Sequence, residues 1–170
     1  GGSSARSTNH VENYSNFING LNLSPATDLQ ANHSTNIDQA GVYRIPSGVI
    51  FTGNFNVNNS NVTLIVDGVI NGNINLNGTR VIVTENGEVT STSTLRFNNN
   101  SSLYNWGVVN FTDSTINGTV RNNNLINFKN QITFNSGATV TNNCKIIFEN
   151  KATFNTPLTN NAFVKFENGF

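Results

Sequence analysis

From Gly48 to the end of the chain one short phrase restarts every 17 to 20 residues, and the aliphatic positions of each copy fall in register with those of the next. The copies start at Gly48, Gly68, Gly87, Gly107, Asn124, Cys144 and Ala162. Two residues after each start stands a β-branched side chain: Ile50, Ile70, Val89, Val109, Ile126, Ile146 and Val164. A period of this length with a fixed aliphatic column predicts a β-solenoid in which each copy is one coil stacked on the last. The expected fold is all-β: a right-handed parallel β-helix of about seven coils. The left-handed form relies on strict six-residue units, which these variable coil lengths do not keep.

Within a copy the alternation reads as three short strands separated by corners. The first strand points its second and fourth positions inward, which places Phe111, Phe128, Phe148 and Phe166 in one column of the last four coils; Thr52, Gly72 and Ser91 hold that position earlier. The second strand ends on Val57, Leu76, Phe97, Ile116, Phe134 and Phe154. The third contributes Leu64, Val83, Leu103, Val120, Val140 and Leu158, each four residues before the next start.

Asparagine makes up 36 of the 170 residues and falls in two columns. One follows the second strand: Asn58, Asn77, Asn98, Asn117, Asn135 and Asn155. The other follows the third: Asn105, Asn122, Asn142 and Asn160. Asparagine tolerates the left-handed backbone of a corner, and its amide can bond the amides of the coils above and below, so both columns are expected to be structural corner ladders. The alternative is a polar lane for sugar hydroxyls or water.

Residues 1–40 carry no repeat and form the expected N-terminal tail and cap, with residues 41–170 as the parallel β-helix. An open solenoid end exposes strand edges and apolar side chains, and Phe17, Ile18, Leu21 and Leu23 are the residues expected to cover the first coil. The chain stops inside a copy at Phe170, so further coils or a partner are expected to cover that end. Methionine is absent even at position 1, as in a processed or excised segment, and GGSSARST resembles a linker or tether.

Charged residues make up 11% of the chain and the formal net charge is zero, so no basic field exists to attract nucleic acid. No apolar run approaches the roughly 20 residues of a transmembrane segment. Catalytic residues, a metal site and a cofactor are all expected to be absent. The histidines His10 and His33 lie outside the repeats, away from any cluster at ligand spacing, and the stacked pair Glu149 and Glu167, with Lys129 one coil before, reads as a solvated charge ladder rather than a hydrolase dyad. The single Cys144 sits at a repeat start and reads as a small buried residue.

Two surfaces are candidates for partners. The position directly after each start holds Val49, Val69, Glu88, Val108, Leu125, Lys145 and Phe163, an apolar stripe on an outward face. Segment 1–40 is expected to cover its first coils, which leaves Val108, Leu125 and Phe163 as a partner surface for self-association or for a host or cell-surface molecule. Tyr104 and Trp106, near one corner, are candidates for stacking on a glycan ring, with packing beneath a cap or corner as the alternative. The run Thr90, Thr92, Thr94 is too short and irregular for an ice-binding lane.

The phrase seen in GVINGNINLN and GVVNFTDSTIN, with the closing VTNNC and LTNNA, resembles the Asn/Gly-rich β-solenoid segments of bacterial cell-surface and secreted proteins, including the N-terminal repeats of LruC-domain proteins. The likeness covers residues 41–170. It implies a non-enzymatic structural or adhesive module, located extracellularly or on the bacterial outer-membrane surface, and brings no catalytic motif. A carbohydrate-binding or polysaccharide-degrading β-helix is the alternative, and an ice-binding surface a third.

Overall fold

A computed structural model describes residues 9–168. These residues form a parallel β-solenoid of about seven turns with one short helix, Tyr14–Gly20 (α1). The first face is an eight-stranded sheet, in order Thr27–Asp28, Gly41–Ile45, Val62–Val66, Arg80–Val83, Ser102–Asn105, Thr119–Asn122, Thr139–Asn142 and Leu158–Asn160. The second is seven-stranded: Ile50–Phe51, Val69–Ile70, Glu88–Val89, Val108–Phe111, Leu125–Phe128, Lys145–Phe148 and Phe163–Phe166. Among the described residues every strand pair is parallel, because each strand stacks on its counterpart one coil away.

The third face is split into two three-stranded sheets, one ending at Thr94–Asn98 and the other beginning at Thr115–Ile116. At the break the Asp113 carboxylate accepts from the backbone amides of Phe97 and Ser114, both at 2.8 Å. A buried side chain thus takes the place of the missing strand carbonyl for Phe97. The copy that begins at Gly107 is the shortest, and its strand on this face has two residues where the coil before has five.

The core is a set of stacked columns. Phe111, Phe128, Phe148 and Phe166 pair in register. Their ring centroids are 5.1, 4.9 and 5.0 Å apart, and the last two pairs lie within 12° of parallel. Phe134 and Phe154 stack likewise at 5.0 Å on the third face. Offset stacking satisfies the ring quadrupoles while repeating at the coil spacing of about 4.8 Å.

Register departs from the sequence-based columns in two places. In the first coil Ile50 pairs with Val69 and Phe51 with Ile70, so Phe51 enters the aliphatic column, Gly53 stacks beneath Gly72, and Ile50 points outward at 58% exposure. Gly48, at φ +83°, completes a turn in which Val49 N bonds Pro46 O, and Val49 is the true first position of that copy. The resemblance of GVIF to GVIN hid this slip of one residue. In the third column, Val81 rather than Val83 pairs with Leu64 and Leu103. The corner at Glu85 and Asn86 is two residues longer than its counterparts, which defeats counting back from Gly87.

The N-terminal segment divides its work differently from expectation. Leu29 and Ile37 cover the first coil: Thr27–Asp28 pairs with the strand Gly41–Ile45, and Ile37 bridges to Val57. Phe17 lies instead along the side of the solenoid, at the fourth coil, where its ring is 4.9 Å from Tyr104 and 5.1 Å from Trp106.

Candidate functional site

Asparagine at the corner after the eight-stranded sheet is built into a continuous hydrogen-bonded ladder. Asn105, Asn122 and Asn142 are fully buried, and each side-chain Nδ2 donates to the Oδ1 of the next, with the ladder ending on Asn160, at 2.9, 2.9 and 2.8 Å. The same Nδ2 atoms also donate to carbonyls three residues past the next coil's rung: Leu125, Lys145 and Phe163. Each Oδ1 meanwhile accepts from the amide two residues ahead, at Gly107, Asn124, Cys144 and Ala162. One side chain therefore satisfies the orphaned backbone of its own corner and cross-links it to the coil above. In the first three coils the same column holds Ile45, Val66 and Val83, so the ladder replaces an aliphatic stack halfway along the solenoid.

A second ladder runs beside it through Asn123, Asn143 and Asn161, with Nδ2 to Oδ1 distances of 3.1 and 2.9 Å. The doubled asparagines in RNNN, VTNN and LTNN are the signal that could have revealed it. The corner after the second strand is less regular. Asn135 donates to Asn117 at 2.6 Å, Asn77 donates to the Val57 carbonyl, and Asn58 donates to Asp38. Asn99, at φ +55°, rather than Asn98 reaches Asn77, and Asn155 is exposed.

On the outer face of the eight-stranded sheet, α1 and its flanking residues form a strap. Trp106 is 7% exposed: Tyr14 meets its ring edge-on at 5.2 Å, and its Nε1 donates to the Glu12 carbonyl at 2.8 Å. The Arg121 guanidinium lies 5.3 Å from the ring centroids of both Phe17 and Tyr104, and it is ion-paired to Glu12. Burial, with the nearby Asp67 carboxylate, raises the Tyr14 phenol above its ordinary pKa, and burial lowers that of Arg121. Tyr104 and Trp106 are thus packed beneath the strap.

Below the strap lies a cleft of about 600 Å³ between Leu21–Ser24 and the sheet. Arg80 lines it, flanked in register by Thr63 and Ser102. Among the described residues no carboxylate lines this cleft and Arg80 has no ion-pair partner. The Thr63 side chain, on a residue 6% exposed, likewise has no hydrogen-bond partner among them.

The stripe on the seven-stranded sheet is continuous in register as Ile50, Val69, Glu88, Val108, Leu125, Lys145 and Phe163, with Ile50 in place of Val49. The strap lies on the other sheet. Val108 and Leu125 are half-buried and Phe163 is 50% exposed.

Of the remaining sequence candidates, Lys129 and Glu149 form an ion pair at 2.8 Å, and Lys165 pairs with Glu167 at 3.6 Å. His33 Nε2 lies 2.7 Å from the Thr35 carbonyl, its ring edge-on to Phe55, and His10 is exposed. Cys144 is half-buried. Thr90 and Thr92 both bond Asn71 one coil below, whereas Thr94 pairs in register with Asn73. Among the described residues no group of three or more His, Cys, Asp or Glu side chains could hold a metal ion, and no helix is long and apolar enough to cross a membrane. No family model, no curated protein and no solved structure matches this chain.

Proposed function

We propose that the chain is a non-enzymatic structural or adhesive β-solenoid module of an extracellular or outer-membrane-surface protein of a bacterium, of the kind its repeat phrase resembles. The ladder Asn105–Asn122–Asn142–Asn160 carries this reading. Backbone hydrogen bonds already join neighbouring coils. Buried side-chain bonds running along the same axis add a second set, which must break together with the first before water can reach either. A rod reinforced in this way resists separation of its coils, which is what a spacer or load-bearing adhesin requires. Single-molecule force spectroscopy, pulling between residues 41 and 168, tests it. The expected trace has force peaks as ladder coils separate, lowered by Asn142→Ala; smooth extension without peaks would refute a load-bearing role.

The cleft at Arg80 favours carbohydrate binding as a second reading. A cation facing a polar cleft without a counter-charge suits a ligand that bears one carboxylate and several hydroxyls, which is the chemistry of an acidic sugar. Calorimetric titration with a galacturonic acid trimer, and with a neutral galactose trimer as control, should show binding of the acidic sugar alone and its loss in Arg80→Gln. Equal binding of both sugars, or of neither, rejects this reading and leaves the structural one standing.

A further inference from the structure

The stripe on the seven-stranded sheet carries two charges among apolar residues: Glu88 at its third position and Lys145 at its sixth. Both are exposed, and neither has an ion-pair partner among the described residues; Lys145 only approaches the Phe163 ring, at 5.5 Å. The exposed apolar residues of the stripe gain by burial, and burying the face leaves the two charges without penalty only if each meets its complement.

We propose that this face pairs with the same face of a second copy in an antiparallel, two-fold symmetric dimer. A two-fold axis lying in the interface, parallel to the strands and passing between Val108 and Leu125, reverses the solenoid direction but keeps each column opposite itself. Position four then meets position five, so Val108 faces Leu125 of the second copy. Position three meets six, setting Glu88 opposite Lys145, and position two meets seven, setting Val69 opposite Phe163. Ile50 alone overhangs. The column beside the stripe runs Asn110, Asn127, Ile147 and Lys165, and the same axis faces Asn110 with Asn127, two amides that can bond each other. Every residue of the stripe lies one coil, about 4.8 Å, from the next, so all these matches come from one placement of the axis.

The area sets the strength. In the six coils that overlap, strands of two to four residues cover about 29 Å by 7–13 Å, or roughly 500 Å² for both copies together. That lies below the standard interface size, so the dimer is weak and transient. This inference goes beyond the structural reading and does not depend on it.

Sedimentation equilibrium of the whole chain up to about 1 mM provides the test. Glu88→Lys alone sets lysine opposite lysine twice per dimer, and Lys145→Glu alone sets glutamate opposite glutamate; each should weaken association by about tenfold or more. The double variant Glu88→Lys, Lys145→Glu restores both pairs and should return to within about threefold of the parent. Both residues are exposed, so all variants should melt like the parent, which separates association from folding. A parent that stays monomeric at 1 mM, single variants that associate as the parent does, or a double variant as weak as the singles would each overturn the proposal. End-to-end stacking through an edge coil predicts the second of these outcomes.

Discussion

Replacing Asn142 by alanine removes a rung bonded to the coils on both sides. Its Nδ2 donates to Asn160 at 2.8 Å and to the Phe163 carbonyl at 2.9 Å, and its Oδ1 accepts from Asn122 at 2.9 Å and from the Cys144 amide at 3.2 Å. Asn122 keeps its bonds to the Lys145 and Asn124 carbonyls, so its amide is not orphaned outright. The Cys144 amide and the Phe163 carbonyl lose these side-chain partners. Each buried group left unsatisfied costs about 1–3 kcal/mol, and water can reach the Asn160 side, where the ladder opens to solvent. The net loss should therefore be about 3 kcal/mol, which for a domain of this size lowers Tm by roughly 6–12 °C. Asn160→Ala, at the exposed end, should cost under about 1 kcal/mol, and Thr133→Ala on the outer surface under about 0.5 kcal/mol. Thermal melts by circular dichroism at 215 nm decide the matter. If Asn142→Ala melts within a degree or two of Thr133→Ala, the rung is not buried as the structure has it, and the binding-lane reading of the asparagines returns.

Three further outcomes are expected. Phe17→Ala removes the ring that packs on both Tyr104 and Trp106, so emission from the single tryptophan should shift to the red while the β-sheet circular dichroism stays intact; unchanged emission would mean that the strap does not hold Trp106. Because burial raises the Tyr14 phenol above its unfolded value of 10.0, its contribution is whole below that pH and is lost as pH rises through the folded value. Melting temperature should accordingly fall more between pH 9 and 11 for the parent than for Tyr14→Phe, and parallel declines would contradict this. Gly107→Ala would place a Cβ 2.2 Å from the Gly87 carbonyl oxygen and 2.5 Å from that of Thr84, and overpacking at such a corner should cost about 2–3 kcal/mol in urea denaturation, whereas a parent-like midpoint would show that the corner yields freely.

The repeat itself was legible in the residues because stacking makes each coil solve the same packing problem. A column such as Val89, Val109, Ile126, Ile146 and Val164 repeats one kind of apolar side chain because each of these strands lies directly on the last. The phenylalanine column and the ladder of Asn105, Asn122, Asn142 and Asn160 follow from the same constraint and were readable from spacing alone. Where a coil departs from the mean, spacing misleads. Gly48 looks like a repeat start but is used in a turn, and the longer corner at Glu85 and Asn86 moves Val83 out of one column and into the column that Asn105 continues.

The non-repeating segment shows what period cannot convey. Leu29 and Ile37 close the first coil, while Phe17, equally apolar, lies on Tyr104 and Trp106 some ninety residues away. A sequence tells that an apolar side chain needs burial, but the hydrophobic effect has no direction and names no partner. Only the tertiary structure decides which outer face is covered, and so which is left open. By laying the strap on the eight-stranded sheet it leaves the stripe from Ile50 to Phe163 free, with Glu88 and Lys145 set symmetrically about the point between Val108 and Leu125. Periodic local chemistry is written in the order of the residues, whereas the choice among equivalent faces depends on contacts between segments far apart in the chain.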